Sequence, residues 1–350
     1  MDVFLKKWLI IFAILVSPIS SFCNNKEDKT PEEKGLEVIK TEAIKECVEF
    51  LSDDKMEGRI SGSAGALQAA DYIATYLKDI GIKPFGESYF QDFDSEKMTE
   101  LFFEKLDYSI LTFLKSSPSI RNVLGVIEGN SKDEYIIVGA HYDHIGISTN
   151  LSDDRIFNGA DDNASGVSAV LQIAKAFLNT GDIPSKTIIF AFWDAEEAGL
   201  IGSQCFIRSF GEINNIKSYL NLDMIGRDNK GTGSQVAFIY SDTTSNYDEI
   251  VKEEIVKHKL NLELITDINT INSDFSDGSY NDNLYMIFRG NSDQMSFEEK
   301  NIPIFLYTTG LHPDYHKVSD HAENINWEKL TNISKLSFLT LYRLVNSPTF

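Results

Sequence analysis

Repeated alternation of short buried strands with amphipathic helices constrains this chain more than any other feature. Tyr135–Ala140 is continuously apolar, the pattern of a strand covered on both faces rather than one. Thr187–Trp193, Lys217–Met224 and Ile302–Thr308 read as further strands. Between them lie helical stretches. Ala164–Leu178 sets Val167, Val170, Leu171, Ala174, Phe177 and Leu178 on one face; Ala198–Phe206, Asn246–His258 and Trp327–Val345 follow. Repeated β-α units of this kind predict an α/β fold, a three-layer α/β/α sandwich with a mainly parallel (mixed) central sheet and helices on both faces.

Upstream, Lys40–Leu51 predicts a helix with Ile44, Cys47, Val48 and Leu51 inward. Glu57–Ser63 reads as a loop, and Gly65–Ile80 as a second helix with Leu67, Ala70, Ile73, Ala74 and Leu77 on one face, ended by Gly81. Ser119–Gly129 reads as a strand. Earlier still, Lys6 and Lys7 precede the apolar run Trp8–Val16, which Pro18, Ser20 and Ser21 break. That run is too short to span a hydrocarbon core about 30 Å thick, so residues 1–23 predict a signal peptide. Cleavage after Ser21 fits it; the alternative is a lipoprotein signal with Cys23 lipidated, although Phe22 is a poor neighbour for that. Residues 24–37 are polar and predict a linker, with one domain over 38–350. The chain is thereby expected outside the cytoplasm: periplasmic, on the cell surface or secreted.

Charge narrows the partners. With 53 Asp+Glu against 32 Lys+Arg, the net charge is −21. Phosphate backbones recruit Lys and Arg, so a nucleic-acid partner is not expected. Anionic lipid offers no attraction either, which leaves a lipid at Cys23 as the one route to a membrane. Of the three cysteines, Cys47 and Cys205 read as small buried apolar residues, and no C-x-x-C occurs.

Active sites of open α/β sheets gather beyond the carboxyl ends of the strands. Here those junctions carry His141, Asp143 and His144 after the first strand and Glu196 and Glu197 after the second. Asp223 ends the third, and His312, Asp314 and His316 follow the last. Asp161 and Asp162 precede the helix at Ala164. Each pair alone is ordinary: acids favour helix starts, and an Asp-Asp-Asn turn caps a helix. Asp223 in a strand is costly unless paired or coordinated. Together, imidazole and carboxylate without sulfur suit zinc, with a neighbouring Glu as base.

These segments resemble the zinc aminopeptidase family of co-catalytic two-zinc exopeptidases, which includes bacterial leucyl aminopeptidases, aminopeptidase Y and glutamate carboxypeptidase. The matching stretches are Gly139–His144 (GAHYDH), Asn158–Gly166 (NGADDNASG), Glu196–Ser203 (EEAGLIGS), Asn221–Gly226 (NLDMIG) and His312–His316 (HPDYH). The resemblance runs from about residue 45 to 345 and makes 38–350 a catalytic domain. It implies two zinc ions per chain and peptide substrates. Asp161 would bridge the metals, His141 and Asp223 would complete one site, and Glu197 and His316 the other. Glu196 would be the general base and Asp143 would orient His141. The bond between Asp161 and Asp162 would be cis. His144 and His312 flank this set, and Arg289 and Tyr315 are candidates to stabilise an oxyanion.

The implied reaction is removal of single residues from peptide N-termini through an activated water. Alternatives on the same fold are a glutaminyl cyclase-like acyltransferase with a single zinc, which retention of both His141 and Asp223 disfavours, and a carboxypeptidase. Ser292, Asp293 and Gln294 stand where the family often has Ser-Asp-His, and Asp320-His321 replaces Asp-Thr.

Overall fold

The computed structural model describes residues 28–101, 119–228, 233–241, 247–267, 270 and 292–348. The expected signal peptide with Cys23 and the residue Arg289 lie outside the described residues. Eleven strands are described: β1 (Lys83–Pro84), β2 (Phe90–Asp94), β3 (Ser119–Ile127), β4 (Ser131–His141), β5 (Gly146–Ile147), β6 (Ile156–Phe157), β7 (Lys186–Trp193), β8 (Ile216–Leu222), β9 (Gln235–Tyr240), β10 (Glu263–Ile265) and β11 (Ile304–Thr308).

Nine of them form one mixed sheet in the order β1-β3-β7-β4-β8-β11-β9-β10, with β2 also paired to β3. The centre is parallel: β4 pairs with β7 and β8, and β8 with β11. The flanks turn antiparallel at β3–β7 and β11–β9. Parallel strands require crossovers, and helices supply them on both faces. Successive side chains of a strand alternate between faces. In β7, Ile188, Phe190 and Phe192 therefore join one core, while Ile189, Ala191 and Trp193 join the other.

The first core is built on the helix Gly166–Thr180, which packs against helices Pro31–Leu36, Thr41–Leu51 and Trp327–Asn346. The second centres on Trp193, Phe206, Tyr219 and Phe297, where the Tyr219 and Phe297 rings stack at 4.0 Å. No described helix is long and apolar enough to cross a membrane.

Three expectations are corrected. Residues 31–36, expected in a polar linker, form a helix. Thr30 caps it, accepting from Glu33 N while the Glu33 carboxylate accepts from Thr30 N, and Pro31 opens the first turn. Gly35 docks it: a Cβ there would lie 2.2 Å from the Phe338 ring. Leu67 and Leu178, expected on buried faces, are exposed. The buried stripe of the helix Ala64–Ile80 runs through Ala66, Ala69, Ala70, Ile73, Ala74 and Leu77, one position away from Leu67. Leu178 lies near the end of its helix, which Gly181 closes in the left-handed conformation.

Candidate metal centre

Because β7, β4, β8 and β11 run parallel, their carboxyl ends open on one edge. His141 is the last residue of β4, and Glu196 and Glu197 lie in the turn after β7. Asp223 follows β8 and His316 lies in the loop after β11. Gly159 and the turn Ala160–Ser165 bring Asp162 to the same point, ahead of the helix Gly166–Thr180. Gly159 sits at φ 58°, and a Cβ there would lie 2.2 Å from the Asp162 carbonyl, so the turn is closed to larger residues.

Asp162 joins two groups of donors, one oxygen to each. Its Oδ1 is 3.2 Å from His141 Nε2, which is 3.5 Å from Asp223 Oδ1. Its Oδ2 is 3.2 Å from His316 Nε2, which is 3.1 Å from Glu197 Oε2. Glu196 stands beside the first group, its Oε2 4.0 Å from His141 Nε2.

The sequence expectation is corrected at Asp161. Its Oδ1 accepts from the Gly226 amide at 2.6 Å, and its Oδ2 faces His312 Nε2 at 3.3 Å. It therefore pins the chain after β8 and does not reach His141 or His316. The cis bond is Asp162–Asn163, not Asp161–Asp162. Asp143 also differs in detail. His141 Nδ1 meets the backbone carbonyl of Asp143 at 3.2 Å, with the carboxylate at 3.7 Å. That carboxylate mainly accepts from the amides of Glu196 (3.0 Å) and Glu197 (3.3 Å), and so orients the Glu pair.

Further residues support the donors from outside the expected ligand set. Ser292 donates to Asp223 Oδ2 at 2.6 Å. Asp320 Oδ2 accepts from the amides of Asp161 (3.0 Å) and Asp162 (3.1 Å), while its Oδ1 faces Arg227. Arg59 is fully buried and donates to the carbonyls of Leu51, Tyr142, Asn158 and Gly159. It fastens the ends of three segments that flank the site. The Tyr315 ring stacks on His316 at 3.8 Å.

Titration follows from this crowding. Burial opposes charge on His316, yet the Asp162 and Glu197 carboxylates hold its pKa up at about 10. Burial likewise opposes charge on His141, and Glu196, Asp143, Asp162 and Asp223 together raise it well above the ordinary histidine range. Glu196 is pushed well above the usual carboxylate range, chiefly by burial, against the pull of His141. So many acids crowded around the imidazoles of His141, His144 and His316 are costly without cations. The donor set, imidazole and carboxylate with no sulfur, fits zinc. His141, Asp162 and Asp223 form one group able to hold an ion, and His144, Asp162 and Glu197 form a second, with His316 Nε2 3.1–3.2 Å from the same Glu197 and Asp162 carboxylates.

Residues 122–341 match the family described as Peptidase family M28, and the chain belongs to that family. It is 29% identical over 217 residues to leupeptin-inactivating enzyme 1 of Streptomyces exfoliatus, a match covering 61% of this chain and 41% of that protein. The chain thus spans well under two thirds of that relative. By fold it is similar to BSAP, a zinc aminopeptidase from Bacillus subtilis (TM-score 0.62, 18% identity, 89% of this chain and 96% of that one). It is also similar to a glutaminyl cyclase from Bacteroides thetaiotaomicron (TM-score 0.58, 19% identity, 87% and 98%).

Proposed function

We propose that this chain is an exported aminopeptidase that uses two zinc ions to hydrolyse the N-terminal peptide bond of peptides. The observation that carries the reading is Asp162, whose two oxygens each face a separate set of donors. His141 and Asp223 would hold one ion, Glu197 and His316 the other, with Asp162 shared. A bound zinc pair supplies Lewis acidity toward the scissile carbonyl and lowers the pKa of a water.

The chain's own groups do the rest. Glu196, pushed up by burial, would take a proton from a water in the site and return it to the leaving amine. Asp143 holds Glu196 and Glu197 by their amides, and Ser292 fixes Asp223. Tyr315, stacked on His316, is the described candidate to donate to a developing oxyanion. The apolar run Trp8–Val16 after Lys6 and Lys7 supports export.

Glu196→Gln tests the reading. The variant should keep its fold and zinc and lose roughly 10²–10⁴-fold in hydrolysis of aminoacyl anilides. Unchanged hydrolysis removes Glu196 from the role of base. Cyclisation of N-terminal Gln peptides with a single zinc per chain would move the assignment to an acyltransferase.

A further inference from the structure

His144 stands among the donors of the second group, yet the ligand set proposed above leaves it out. Its side chain is fully buried, and its Nδ1 is 2.7 Å from Glu197 Oε1 and 3.8 Å from Asp162 Oδ2. Proximity alone would make it a further ligand. The distances argue otherwise. Ligands about 2.0–2.1 Å from one tetrahedral ion stand roughly 3.3 Å apart. The four donor pairs around Asp162 fall at 3.1–3.5 Å, as such sharing requires. The His144–Glu197 separation of 2.7 Å is that of a charge-assisted hydrogen bond instead.

We propose, resting on the two-zinc reading, that His144 is a positioning residue: its Nδ1–H holds Oε1 of Glu197, so that only Oε2 is offered to the ion shared with His316 and Asp162. The other ring nitrogen agrees with this tautomer. His144 Nε2 is buried with no hydrogen-bond partner, a cheaper state for a lone pair than for an N–H of a charged ring. The ring cannot swing away. A Cβ on Gly159 would lie 2.6 Å from its Cδ2, and the backbone N–H of His144 donates to Arg59 O at 3.2 Å. Its edge meets the His316 ring, with centroids 5.9 Å apart. Glu197 is thereby held by one oxygen to each partner and kept from chelating. That leaves a coordination position for substrate or water, the arrangement of a catalytic rather than a structural zinc site.

The test uses His144→Asn, His144→Gln and His144→Leu in the full chain, each checked for fold by circular dichroism. Asn places an N–H donor where Nδ1 stands; Gln reaches toward the Nε2 position; Leu has neither. The readouts are zinc per chain, the affinity of the weaker zinc against a competing chelator, and the visible spectrum of the cobalt-substituted protein. The expected result is a 10–100-fold weaker second zinc in the Leu and Gln variants, with Asn within about threefold of the parent. The cobalt spectrum should change in Leu and recover in Asn. Identical second-zinc affinity in His144→Leu overturns the role of His144 alone. An Asn variant as weak as Leu overturns the Nδ1 donor. A parent chain that takes up fewer than two zinc ions overturns the two-zinc reading itself, and this inference with it.

Discussion

Arg59 offers the sharpest test of how the lead-in segment supports the site. Its guanidinium is fully buried and donates to four carbonyls, those of Leu51, Tyr142, Asn158 and Gly159. These carbonyls end the helix Thr41–Leu51, follow β4 and precede Asp162. Removing the side chain takes a donor from all four, although the Gly159 carbonyl still accepts from the Ala164 amide at 3.3 Å. Hydrogen bonds to a charged group contribute about 1.5–3 kcal/mol each, so four give roughly 6–12 kcal/mol as an upper figure. Losses at one centre are not additive, and a few kcal/mol is the safer expectation against a total stability of about 5–15 kcal/mol. Arg59→Met separates bonds from packing, because Met fills much of the same volume. Urea unfolding followed by tryptophan fluorescence should show Arg59→Met destabilised by more than about 3 kcal/mol, and Arg59→Ala by more still. Stability of the Met variant within about 1 kcal/mol of the parent would refute the claim that these bonds hold the segments together.

Other predictions follow from the same contacts. Asp162→Ala should abolish binding of both zinc ions, whereas Asp161→Ala should keep zinc and lower thermal stability; zinc loss on Asp161→Ala alone would return the bridge to that residue. In the metal-free chain His316, with its pKa at about 10, and His141, raised well above the ordinary range, both carry a proton at neutral pH. Coordination needs the neutral rings, so zinc loading should release protons, and affinity should rise with pH by about tenfold per unit for each proton displaced. Calorimetry in buffers of differing ionisation enthalpy reads this directly, and zero release would contradict it. Burial pushes the Cys47 and Cys205 thiols up to about 12, so neither should react with a thiol reagent at pH 8 until the chain unfolds. Rapid labelling mapped to Cys47 or Cys205 in the folded chain would contradict their burial.

Much of the architecture is legible in the sequence because burial writes itself as pattern. The run Tyr135–Ala140 could only be a covered strand, and the parallel centre of the sheet follows from the helices between such runs. The flanking strands were less legible: β10 has three residues, and the six-residue β9 sends Val236 and Phe238 to one core and Ala237 and Ile239 to another. The helix Pro31–Leu36 has a readable capping box, hidden by the polar composition around it. At the site, residue types were legible but the choice between adjacent aspartates was not. Asp161 and Asp162 are identical in chemistry, and what separates them is the Gly226 amide, 65 residues away, which captures the first. Ser292 and Asp320 likewise act from remote segments. Local sequence carries no record of such contacts.

The central claim is a two-metal centre built around Asp162. Diffraction from zinc-soaked crystals at energies either side of the zinc absorption edge tests it most directly. The account predicts two anomalous peaks, about 3.5–4 Å apart, one on each oxygen of Asp162. A single peak, or a pair flanking Asp161 instead, would contradict it.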